Sequence, residues 1–141
     1  MMRPNYLLRT VLVLVGLAVV FLGLNVGLGG IRTLGWQGGA AEFLSVTDPA
    51  MFAVRDSHIR FIGGIWLAIG LTLAAGAIWF ERLRPVLVAI TALVFVGGLI
   101  RLGGPLPPDV LPSLALELIG FPLLGWWVSR PVRSKANMQR I

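Results

Sequence analysis

Residues 61–80 carry no charged side chain, and Thr72 is their only polar one. A helix of that length rises about 30 Å at 1.5 Å per residue, the thickness of a bilayer's hydrocarbon core. A charged cluster, Asp56, His58 and Arg60, stands at its mouth. Three further runs have span length: 6–28, 85–101 and 110–128. Hydrophobic residues make up 57% of the 141 positions and charged ones 13%. Such a chain cannot cover a soluble surface, so its solvent is lipid.

The net charge is +6. In a membrane protein, basic residues mark cytoplasmic ends and meet anionic head groups. A nucleic-acid binder would interleave a basic patch with aromatics on a soluble fold, and none is visible. Cysteine is absent, which excludes disulfides, thiol chemistry and cysteine metal sites.

Residues 6–28 are uncharged apart from Arg9. They read as an anchor and not a cleaved signal, because Gly27-Leu28-Gly29 is a poor cleavage site. Gly23-x-x-x-Gly27 permits close helix approach. Residues 29–57 form the one long connection. Within it Asp48-Pro49 is a helix-start signal, and a helix from Pro49 can run unbroken into the second span, 59–80. Asp56 and Arg60 then stand i,i+4 and can pair, acid before base. Gly63-Gly64, Gly70 and Gly76 offer thin faces to neighbours. Glu81-Arg82-Leu83-Arg84 reads as a tight charged turn, with Pro85 opening the third span. After a rigid turn at 103–108, Asp109 is expected to cap the fourth helix and Pro122 to kink it. Residues 129–141 form a basic tail.

Orientation follows from charge. The N-terminus, Arg82, Arg84 and the tail residues Arg130, Arg133, Lys135 and Arg140 fall on one side. Arg32, Arg55, Arg60 and Arg101 fall on the other, balanced by Glu42, Asp48, Asp56 and Asp109. The positive-inside rule puts both termini of a multi-pass membrane protein in the cytoplasm.

Each span brings one polar group to the outer leaflet: Asn25, Arg60, Arg101 and Glu117. Glu117 is the deepest, two turns or about 10 Å into the fourth span. A carboxylate there must be paired or neutralised. Arg60 and Arg101 are its expected partners. With both facing it, removing the acid should cost more than removing either arginine. These four residues form the candidate cluster, either a ligand site or a structural clasp. Asp56 and His58 are secondary candidates. One histidine and no cysteine is too thin a set for a metal. Ser57 and Ser113 lack a matched base, so no catalytic residue is assigned.

Asn25, Ile59-Arg60-Phe61-Ile62-Gly63-Gly64-Ile65-Trp66, Gly97-Gly98-Leu99-Ile100-Arg101 and Leu116-Glu117-Leu118-Ile119-Gly120 together resemble the bacterial family called domain of unknown function 4345. The resemblance covers nearly the whole chain. It implies a single four-helix inner-membrane domain, similar in layout to DoxX-like proteins, and brings no established activity. In that family the segment after the third-span arginine commonly carries a serine and a Gly-Pro turn. Here it is Leu102-Gly103-Gly104-Pro105, without the serine.

The expected fold is all-α, a polytopic membrane four-helix bundle with a long external loop between the first two helices. The expected function is binding of a small or lipophilic molecule in a polar pocket in the bundle's outer half. The alternative is an accessory or assembly subunit of a larger membrane complex, the cluster being purely structural. An enzyme using Glu117 as acid/base ranks last, since no cofactor-binding residue set is visible. Expected partners are the lipid bilayer, a lipophilic molecule or other membrane subunits, with no nucleic acid and no cofactor.

Overall fold

A computed structural model describes residues 6–33 and 46–130. The N-terminal residues before Tyr6, Glu42 and the tail residues Arg133, Lys135 and Arg140 lie outside the described residues. Among the described residues four helices are long and apolar enough to cross a membrane, and there is no strand. The chain is all-α, as its sequence implies. The helices are α1 (Tyr6–Gly29, extended by a 3₁₀ turn Gly30–Thr33), α2 (Pro49–Gly76), α3 (Phe80–Arg101) and α4 (Pro108–Ser129). Large apolar side chains point outward on each of them, including Leu28, Phe61, Ile100 and Leu123. Water would penalise that surface, and lipid does not.

Contacts divide the chain into two units, Val11–Trp79, and Met1–Thr10 with Phe80–Ile141. In the first unit α1 and α2 run antiparallel, and glycine sets their closeness. A Cβ on Gly16 would meet Ala74 N at 2.7 Å and Gly70 O at 2.9 Å. Farther along, a Cβ on Gly23 would overlap the backbone of Leu67, and one on Gly63 would overlap that of Gly27. The expected thin faces are present, at Gly63 and Gly70. Gly64 meets nothing within 4 Å.

α2 starts where Asp48-Pro49 places it. Asp48 is the N-cap, and its carboxylate accepts from Met51 N at 3.0 Å, with Pro49 in the first turn. The helix has 28 residues, about 42 Å at 1.5 Å per residue, so its N-terminal turns project beyond a hydrocarbon core of about 30 Å.

In the second unit α3 and α4 run antiparallel. α3 begins at Phe80, so Glu81-Arg82-Leu83-Arg84 is helical and the turn lies just before it. Phe80, Leu87 and Val94 are buried at seven-residue spacing, which binds Phe80 to the same face as the rest of the helix. Glu81 in the first turn suits the positive end of the helix dipole. Pro85 falls in the second turn, where it forgoes one intrahelical bond.

α4 departs further from expectation. It opens with a 3₁₀ turn, Pro108–Val110, whose N-cap is Pro107, and Asp109 sits inside that turn and caps nothing. An α segment, Leu111–Ala115, then widens into a π-helical segment, Leu116–Gly120, before α geometry resumes over Phe121–Ser129. Phe121 N donates to Leu116 O, five residues back. The π turn directly precedes Pro122. A proline ring collides with the carbonyl four residues earlier, and a wider turn moves that carbonyl aside. The irregularity expected at Pro122 is thus met by a π segment upstream of it.

Candidate functional site

Arg60 is committed inside its own unit. Its Nε donates to Asp56 Oδ2 at 2.6 Å, the i,i+4 pair expected from spacing. Its Nη1 donates to the carbonyls of Leu28 and, at 3.4 Å, Gly27. Those carbonyls end α1 and have no partner in a continuing helix, so Arg60 caps α1 from outside and suits the negative end of its dipole. Asp56 completes the closure by accepting from Ile31 N at 2.8 Å through Oδ1. Between these contacts the chain turns at Gly30, with φ +67°. A Cβ there would overlap Asp56 Oδ1.

Asn25 lies one turn earlier on α1. Its carbonyl accepts from Thr33 Oγ1 at 2.9 Å. Its side-chain Oδ1 is buried, with no hydrogen-bond partner among the described residues. His58 is exposed, with Nδ1 2.8 Å from Val54 O on its own helix.

The second unit holds Arg101 and Glu117 together. Arg101 Nη1 donates to Glu117 Oε1 at 2.5 Å and to Ser113 Oγ at 3.1 Å. Ser113 Oγ donates in turn to Val110 O at 2.9 Å. The serine proton is therefore spent on the backbone, leaving its lone pairs to face the guanidinium. Glu117 is 12% exposed and Arg101 37%. Glu117 Oε2 is buried without a hydrogen-bond partner among the described residues. The carboxylate is seated on Gly98, where a Cβ would come within 2.9 Å of Glu117 Cβ and 3.0 Å of Leu118 Cδ2.

Local sequence accounts for this convergence. Leu114, Glu117, Phe121 and Leu124 follow the three- and four-residue spacing of one helix face, and the apolar three are buried. Ser113 stands four residues before Glu117, and Gly98 three before Arg101. Glu117 also lies within the π segment. Such segments widen the helix for one turn and recur at functional sites.

Residues 7–128 match the family described as Domain of unknown function (DUF4345). The chain belongs to the DUF4345 family. The match includes Asn25, Arg60, Arg101 and Glu117 and ends before the basic tail. No curated protein and no solved structure matches the chain. In this DUF4345 member the hydroxyl beside Arg101 comes from Ser113 on the next helix, whereas the segment directly after Arg101 has none. From the sequence, Ser113 was weighed only as a nucleophile and Gly98 only as part of a motif, and neither was placed beside the Arg101–Glu117 pair. The signal for each was its helical spacing from a charged residue already singled out.

Proposed function

We propose that this DUF4345 protein is an integral membrane protein, with both termini in the cytoplasm, that binds a small lipophilic molecule at Arg101, Glu117 and Ser113. The observation that carries this is the buried Glu117 Oε2, which has no hydrogen-bond partner among the described residues. A buried acceptor without a donor costs about 1–3 kcal/mol. A bound molecule with a hydroxyl or N–H would recover that cost. Arg101 spends one nitrogen on Glu117 and Ser113, and a guanidinium has further donors to offer a carbonyl or carboxylate. The complementary ligand is a largely apolar molecule carrying one donor beside one acceptor.

A second reading is a clasp that only fixes helix register, as in an assembly subunit. It is favoured by Arg84, whose Nε and Nη2 donate to Val128 O at 2.9 Å and Ser129 O at 2.5 Å, a purely structural cap on α4.

Native mass spectrometry of protein purified in mild detergent separates the two. Ligand binding requires a co-purifying small molecule that Glu117→Gln and Arg101→Gln both lose. A protein free of such a molecule, or an adduct unchanged in both variants, overturns the binding reading. Stoichiometric association with other subunits supports the clasp.

A further inference from the structure

Along the C-terminal half of α4, a groove of about 310 Å³ runs between α3 and α4. Its walls include Val88, Ala92, Phe95, Pro122, Trp126 and Ser129. From Pro122 to Ser129 the groove follows α4 for about 10 Å at 1.5 Å per residue. The helices are antiparallel, so Phe95 lies at the end shared with Pro122 and Val88 at the end shared with Ser129. The hydroxyls along it are already spent. Thr91 Oγ1 donates to Val88 O at 2.8 Å, and Ser129 Oγ to Trp126 O at 2.8 Å. The groove is therefore apolar along its length.

Its shallow end is not. Arg130 stacks on Trp126, with its guanidinium carbon 3.4 Å from the ring centroid. Stacking holds the guanidinium by its face and leaves its N–H edges outward, the geometry that grips a phosphate in two places. The Arg130 side chain makes no hydrogen bond among the described residues. It is not needed to cap α4, because Arg84 already bonds the carbonyls of Val128 and Ser129.

We infer that this groove seats one acyl chain of an anionic phospholipid, whose phosphate is held by Arg130. The occupant follows from the polarity profile, with an apolar slot toward the membrane interior and one pre-oriented cation where α4 ends. That sequence of environments matches a phospholipid from chain to head group. The groove holds part of one chain and not a whole lipid, which commits it to a lipid drawn from the surrounding leaflet.

Full-length protein in mild detergent is titrated with dioleoyl phosphatidylglycerol or dioleoyl phosphatidylcholine, and bound lipids are counted by native mass spectrometry. The first phosphatidylglycerol should bind about tenfold more tightly than the first phosphatidylcholine, the scale of one charge-assisted bond. Arg130→Gln should reduce that preference to about twofold or less, although the other basic residues of the tail remain. Ala92→Phe, at an exposed position, fills the slot and should weaken both lipids while keeping the helical circular dichroism signal. An unchanged preference in Arg130→Gln overturns the assignment, as does unchanged binding in Ala92→Phe. Displacement of the lipid by an equal concentration of glycerol 1-phosphate would show a free-phosphate site and overturn the role of the groove.

Discussion

Arg101 holds Glu117 by a single nitrogen, with Nη1 2.5 Å from Oε1, while Oε2 lies buried beside Gly98 with no partner among the described residues. The two residues are unequal in surroundings, since the acid is 12% exposed and the base 37%. An arginine near a helix end can snorkel when its partner goes, and a buried carboxylate cannot. Among the described residues Arg60 is committed to Asp56 and the end of α1, and the arginine paired with Glu117 is Arg101. The order expected from sequence is therefore reversed. Arg101→Ala should cost more than Glu117→Ala, approaching about 3 kcal/mol, the lower end for breaking a buried ion pair. Unfolding by denaturing detergent would check it.

The paired glycines give a contrast inside each unit. Gly63 and Gly98 face backbone and side chains at distances no Cβ tolerates, whereas Gly64 and Gly97 meet nothing within 4 Å. Gly63→Leu and Gly98→Leu should lower the thermal midpoint markedly. Gly64→Leu and Gly97→Leu should stay within about 0.5 kcal/mol of the parent, as surface changes do. Light-scattering melts of the four variants in one detergent provide the comparison.

Gly30 is the hinge of the α1 closure. Gly30→Ala places a side chain at φ +67° and drives it into Asp56 Oδ1. The conformational part alone is about 1–2 kcal/mol. Loss of the Ile31 N–H bond to Asp56 should accompany it, read as faster hydrogen exchange at the Ile31 amide.

Much of this was legible in the chain because it is local. Asp48-Pro49 starts α2, and Asp56 and Arg60 pair across one helical turn, each signal contained within a few residues. The meeting of Arg101 with Glu117 was also legible, because depth along an apolar run is countable. What was hidden depends on which face turns inward. In lipid the outer face is as apolar as the inner one, so periodicity does not mark the packed stripe. The partnership of Gly16 with Gly70 and Ala74 stayed invisible for that reason, and so did the unequal roles of Gly63 and Gly64. Arg60's bond to Leu28 required knowing where α1 ends. Asp109 failed as a cap because the two prolines around it, Pro108 and Pro112, support a 3₁₀ opening, and no local rule located the π segment at Glu117.

Topology is testable without purification. Arg82, Arg84 and the tail carry the positive excess, so both ends of the chain should lie in the cytoplasm. A periplasm-dependent phosphatase fused after Ile141 should be inactive, and one inserted between Gly38 and Gly39 should be active. Activity at the C-terminus would exclude an even number of spans with the N-terminus inside.

The measurement closest to the central claim is the double-mutant cycle of Arg101→Gln with Glu117→Gln, read by unfolding in detergent. Residues in direct contact couple by about 0.5–3 kcal/mol. The structure calls for coupling in the upper half of that range for this pair. The parallel cycle of Arg60→Gln with Asp56→Asn should also couple. A coupling indistinguishable from zero between Arg101 and Glu117 would mean that the carboxylate is not held by the arginine, and the proposed site would have no foundation.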